Sequence, residues 1–110
     1  MQHRTFFFVG VADGVVVGSV GVKRYPPNAA EIKRLYLAAA QRGKGWGRRL
    51  LEWSIGWAQA QHVQTITAWS DTRFTDAHRL YLRSGFTQDA ERVLEDDPND
   101  SREYRFVRNF

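Results

Sequence analysis

The sequence predicts one mixed α/β domain, an α+β mixed sheet with helices packed against it. Three observations predict it. Two Val- and Phe-rich segments flank the turn Ala12-Asp13-Gly14, as the strands of a hairpin do. A strand, a glycine-rich turn, an apolar-striped helix and a further strand then follow, the order of a parallel pair with its crossover. A second short helix precedes two more strands. At 110 residues the chain has length for one core and not for two, so residues 1–110 are read as a single domain.

The elements are justified in order. Arg4 to Val11 and Val15 to Lys23 form the hairpin, and Pro26-Pro27-Asn28 ends it. Ala30 to Ala38 reads as a strand whose apolar phase changes, with Ile32 on one face and Leu35 and Leu37 on the other. One inserted residue produces such a change, so a bulge is expected near Lys33 to Leu35. From about Gly45 to Gln61 a helix carries Trp46, Leu50, Trp53 and Trp57 on one stripe, widened by Leu51, Ile55 and Ala58, with Arg48, Glu52 and Gln59 outside. Val63 to Ser70 is a strand. Thr75 is the expected N-cap of the second helix, Ala77, Leu80, Tyr81 and Ser84 share one face, and Gly85 lies just past its end. A short strand from Phe86, an acidic loop Glu95 to Asp100 and a last strand from Glu103 complete the chain.

The run Gln41-Arg42-Gly43-Lys44-Gly45-Trp46-Gly47 is the strongest chemical signal. Three glycines alternate with cations at the start of a helix. Glycine permits close backbone approach, and the first helical turn offers unpaired N–H groups and the positive end of a dipole. This is a phosphate cradle; the alternative is a flexible basic turn, for which three glycines in five residues are a costly choice. No window supplies the spacing of a nucleoside-triphosphate loop. A dinucleotide loop stays open on the residues alone, since Asp71 follows the next strand, although Gly43, Gly45 and Gly47 do not have its spacing.

Net charge is +4, unevenly spread. Residues 1–88 carry twelve Lys/Arg against five Asp/Glu, whereas residues 89–110 carry four against seven. The basic part suits an anionic ligand and the acidic tail a cationic acceptor. The cations are scattered and accompany no nucleic-acid-binding motif, so nucleic acid is not the expected partner. With no cysteine there is no disulfide, thiolate nucleophile or cysteine metal site. The opening residues are not read as a signal peptide, and no stretch approaches the ~18–20 apolar residues of a membrane span, so a cytoplasmic protein is expected. His3, His62 and His78 lack metal-ligand spacing, and Ser54, Ser70 and Ser84 lack a nucleophile motif; no metal is expected.

Glu31-Ile32-Lys33-Arg34-Leu35-Tyr36-Leu37, followed by Arg42-Gly43-Lys44-Gly45-Trp46-Gly47, resembles the acetyl-CoA signature of the GNAT N-acetyltransferase family, Arg/Gln-x-x-Gly-x-Gly/Ala. Ala77-His78-Arg79-Leu80-Tyr81-Leu82-Arg83-Ser84-Gly85-Phe86 is similar to the same family's Ala-x-x-x-Tyr-x-x-x-Gly-Phe segment. The resemblance covers about residues 4 to 110. It implies a GNAT-like acyl-CoA N-acyltransferase fold, here without the usual first strand and first two helices. It also implies acetyl-CoA as co-substrate and an acetyl group passed to a primary amine by direct attack on the thioester.

Carried over residue by residue, the resemblance implies that Arg42, Gly43, Lys44, Gly45, Trp46, Gly47 and Arg48 hold the coenzyme A phosphates. The backbone of Leu35, Tyr36 and Leu37 would pair with the pantetheine arm as an added strand does. Glu31 stands where family members keep a general base; its alternative is a solvent-facing strand charge. Tyr81 stands where the general acid is held, its alternative being a core tyrosine. Phe74 replaces the family's asparagine that bonds the pantetheine arm, and Asp76 is the expected substitute. A module that binds coenzyme A without turnover is the alternative function, and a basic nucleic-acid-binding domain a third. The apolar hairpin is a poor open edge, so a homodimer is expected.

Overall fold

The order of elements follows the apolar patterning. The computed structural model describes residues 4–110. Strands β1 (Arg4–Ala12) and β2 (Val15–Tyr25) pair antiparallel around Asp13 and Gly14, both at positive φ (51° and 77°) as a tight hairpin turn requires. His3 lies outside the described residues.

The third expected strand is two. β3 (Ala29–Ile32) and β4 (Tyr36–Leu37) both pair with β2, but Ile32 lies opposite Val22 and Tyr36 opposite Ser19. Lys33, Arg34 and Leu35 thus face only Val20 and Gly21, which is the inserted residue that the change of phase predicts. The Lys33 N–H still donates to the Gly21 carbonyl at 2.7 Å, and the Ala38 N–H to Val17 at 2.9 Å.

The bulge opens the sheet. Strand β5 (Thr65–Asp71) runs parallel to β3 only from Thr65 to Ala68. Beyond Ala68, β5 continues to Asp71, whereas β4 pairs with β2 alone. A split therefore separates β4 from the C-terminal half of β5. Strand β7 (Arg102–Asn109) pairs antiparallel with all of β5, and β6 (Thr87–Val93) forms the far edge, giving the order β1-β2-β3-β5-β7-β6 with β4 beside β2.

Helices α1 (Trp46–Ala60) and α2 (Thr75–Arg83) share one core with the sheet. Val20, Val22, Ile32, Ile66 and Phe106 supply the sheet side, and Leu51, Ile55, Ala58 and Tyr81 the helix side. Alternation along the strands puts Glu31, Thr67, Trp69 and Arg105 on the other face. Two expectations about the helices need correction. The buried line of α1 is Leu50, Leu51, Ser54, Ile55 and Ala58, whereas Trp53 is 48% exposed. Glycines beneath the helix explain this: a Cβ on Gly18 would lie 2.8 Å from Leu50, so the helix sits too close to the sheet for indoles. Trp53 and Trp57 instead flank it, with ring centroids 4.1 Å and 5.4 Å from Phe8.

Thr75 is the first residue of α2 rather than its N-cap; Phe74 holds that position and makes no side-chain cap. The C-terminus is as expected. Gly85, at φ 87°, lets its own N–H reach the Leu82 carbonyl and the Phe86 N–H reach Tyr81, a Schellman closure.

Candidate functional site

The glycine run folds into a short 3-10 turn (Ala39–Gln41), a loop and the N-terminus of α1. Gly43 and Gly45 both take positive φ, 77° and 81°, and Gly45 is the N-cap. No side chain caps this terminus and no acid lies in its first turn. The first helical bond runs from the Arg49 N–H to the Gly45 carbonyl, so the N–H groups of Trp46, Gly47 and Arg48 have no backbone acceptor. These donors, with exposed Arg42 and Lys44, face outward as an anion cradle requires. Arg48 is held by Glu52 at 2.8 Å, and Arg49 lies 4.6 Å over the Trp46 ring.

A cavity of about 340 Å³ adjoins the cradle, lined by Gly45, Gly47, Arg48, Asp76, Arg79, Leu80 and Arg83. It lies where α1 and α2 approach: a Cβ on Gly47 would stand 3.5 Å from Leu80. Asp76 belongs here and not at the strand split. Its side chain is 94% exposed and paired with Arg79 one turn along α2. The start of α2 directs it toward the cradle, so the structure gives no support to a bond between Asp76 and an arm lying in the split.

A second cavity, about 440 Å³, occupies the split itself. Glu31, Lys33, Trp69 and Asp71 reach it from one face of the sheet; Ile32, Ser70, Ala77 and Tyr81 reach it from the other. Arg34, Leu35, Phe74, Arg92 and Glu103 complete the wall. Because the strands diverge here, the cavity passes between the two faces. The outer edge of β4, at Tyr36 and Leu37, has no strand partner, so an extended amide-bearing ligand finds free backbone groups there.

Glu31 is not a solvent-facing charge. It is 9% exposed, and its Oε1 accepts from the Tyr25 hydroxyl at 3.0 Å and pairs with Lys33 Nζ at 3.1 Å. Oε2 has no protein partner among the described residues, and it is not sealed, since Arg24 Nε alone among them is both buried and unpartnered. Burial, and next the bond to Glu31, hold the Tyr25 phenol above its ordinary pKa, so it remains a donor.

Tyr81 is 5% exposed and stacks on Phe106, with ring centroids 5.2 Å apart. Burial pushes its phenol up to about 12, so it keeps its proton at neutral pH. It lines the split, and among the described residues none hydrogen-bonds its hydroxyl. The side chain thus packs in the core and also lines the split.

Other wall residues escaped the sequence reading. Asp71 takes Arg73 in a two-pronged pair at 2.9 and 2.7 Å, and this guanidinium holds the carboxyl down to about 2. Glu103 pairs with Arg92 at 2.7 Å, whose guanidinium lies 4.0 Å over the Trp69 ring. Alternation from Thr65 to Asp71 shows that Trp69 shares a face with Glu31, but Tyr25, Arg92 and Glu103 arrive through strand register and carry no local signal. Of the histidines, His78 is a packing residue, its Nε2 2.8 Å from the Asp71 carbonyl, and His62 is exposed. The described residues hold no cluster of metal-ligating groups, and no helix among them is long and apolar enough to cross a membrane.

Comparison with known proteins adds independent findings. The model of the acetyltransferase (GNAT) family matches residues 1–86. Among solved structures, the chain is similar to an IAA acetyltransferase from Bacillus cereus, with a TM-score of 0.90 and 18% identity over 97% of this chain and 79% of that one. It is similar to a GNAT family acetyltransferase from Elizabethkingia anophelis with acetyl-CoA bound (TM-score 0.87, 16% identity, 94% and 75% covered). It is also similar to another acetyltransferase from Bacillus cereus (TM-score 0.81, 21% identity, 98% and 74% covered). At these identities the likeness is one of fold. Comparison with curated proteins gives no match.

Proposed function

The chain belongs to the acetyltransferase (GNAT) family, and from that premise we propose that it transfers the acetyl group of acetyl-CoA to a primary amine by direct attack on the thioester. One observation carries this reading: the split between β4 and β5 brings an unsealed carboxylate and an unsealed phenol to one cavity from opposite faces of the sheet.

Acetyl-CoA, when bound, supplies a thioester carbonyl. The unpaired N–H groups of Trp46, Gly47 and Arg48, with Arg42, Lys44, Arg79 and Arg83, suit its phosphates. The free edge at Leu35 to Leu37 suits its amide-bearing arm. A neutral amine then forms the N–C bond while the C–S bond breaks. Oε2 of Glu31 accepts the proton the amine loses, directly or through water, and the Tyr81 hydroxyl provides one to the departing sulfur. Protons and electron pairs balance, and no metal is needed.

We further propose that two copies associate through the hairpin. Strand β1 is an edge of the sheet, and Phe7, Val9 and Val11 are largely exposed along one side of it.

Acetyl-CoA titration followed by turnover across amino acids, polyamines, aminoglycosides and peptide N-termini tests the activity. Release of free coenzyme A that depends on one amine class, with the acetylated amine found by mass spectrometry, is expected. Binding without transfer to any amine would favour the non-catalytic module, and no binding would overturn both.

A further inference from the structure

Among the described residues, two neighbours meet Glu31 at Oε1. Tyr25, from the end of β2, and Lys33, from the bulge, both address Oε1, at 3.0 and 3.1 Å. Tyr25 lies on β2 opposite Ala29, two residues before Glu31, so its ring reaches along the same face of the sheet to the carboxylate. Lys33 is two residues past Glu31 and keeps to that face because its N–H still bonds the Gly21 carbonyl before the chain bulges. Glu31 lines the cavity, and no hydrogen bond from the described residues reaches its remaining oxygen, Oε2.

We propose that Tyr25 and Lys33 are positioning residues that clamp Oε1 of Glu31 and so reserve Oε2 as the oxygen that receives the acceptor's proton. The inference rests on Glu31 being the base. A carboxylate with two free oxygens on a rotating torsion divides its time among several directions; one held at Oε1 by a hydrogen bond and an ion pair presents a single lone-pair set to the amine.

The surrounding charges leave this arrangement intact. From β2, Lys23 lies opposite Glu31 in the strand register but is drawn over the Tyr25 ring at 5.1 Å. From β5 the register partner is neutral Thr67. Across the cavity, Asp71 is taken by Arg73 and Glu103 by Arg92, and Arg34 and Tyr81 make no bond to Glu31. Tyr25, raised by burial, stays protonated through the range in which a carboxylate titrates.

With the best amine from the acceptor panel, Tyr25→Phe and Lys33→Met should each lower kcat about tenfold while KM for acetyl-CoA stays unchanged, because the carboxylate is still present but no longer held in one direction. Lys33→Arg should restore kcat. A wild-type kcat in both folded variants overturns the clamp even where Glu31→Gln is inactive. Full activity of Glu31→Gln overturns the base itself, which is a separate result.

Discussion

Glu31 and Tyr81 line one cavity from opposite faces of the same sheet. Ile32 packs in the core with Tyr81, so its neighbour Glu31 must point the other way, and the two meet only because β4 leaves β5 at the bulge. An intact sheet would place a wall of backbone between them. The bulge is what lets this carboxylate and this phenol address a common space.

Acetyl-CoA should raise thermal stability. A ligand that binds only the native state contributes about 2.7 kcal/mol at a hundredfold excess over its dissociation constant. Differential scanning fluorimetry should show a clear rise in Tm, and an unchanged Tm at saturating acetyl-CoA would remove the cradle assignment.

Gly45→Glu should abolish acetyl-CoA binding. It adds a carboxylate at the N-cap, where the unpaired donors of α1 are directed, and the open space around Gly45 lets the protein fold with only the cost of a positive φ. Arg42→Ala should weaken binding by about 1.5–3 kcal/mol, one charged hydrogen bond. Calorimetric titration separates the two effects.

Gly18 should tolerate no larger residue. A Cβ there would lie 2.5 Å from the Tyr36 carbonyl oxygen and 2.8 Å from Leu50. Gly18→Ala must push β4 from β2, at a cost of about 1–3 kcal/mol, and should weaken acetyl-CoA binding with it. Urea denaturation and calorimetric titration on the same variant check both consequences.

Tyr81→Phe should lower turnover with little change in cofactor affinity, and it should also change alkaline stability. Burial raises the phenol from 10.0 to about 12, so its contribution is whole below pH 10 and fades as pH rises toward 12. The wild-type chain should therefore lose up to about 3 kcal/mol across that window that Tyr81→Phe does not lose. Urea denaturation at pH about 9 and about 11 gives the difference, and parallel declines in the two proteins would contradict a buried phenol.

Val9→Lys should leave the fold intact and produce monomers. The side chain is already exposed on β1, so charge costs the isolated domain little while opposing association. Light scattering at micromolar concentration would expose the contrary case, a wild-type chain that is itself monomeric.

Local signals determined much of this protein. Positive φ at Asp13, Gly14, Gly45 and Gly85 is written in residue types that accept it, and the period of two or of 3.6 names each element. The bulge at Lys33 to Leu35 was legible because an inserted residue must reverse the apolar phase of a strand. The cradle was legible for a related reason: glycines, cations and a helix start are consecutive in the chain.

Tertiary structure alone decided the rest. Which side of α1 is buried depended on how closely Gly10 and Gly18 let the helix approach, so Leu51 and Ser54 are fully buried while Trp53 is left exposed. Asp76 lines the cavity beside the cradle, a placement no residue type announces. Arg92 and Glu103 reach the split through pairing between strands distant in sequence, and Tyr25 reaches Glu31 from the neighbouring strand, although the residues beside Glu31 along the chain suggest a solvated charge. Composition and spacing report what the backbone does over a few residues; burial and partnership are set by register across the sheet, where one inserted residue reassigns every side chain beyond it.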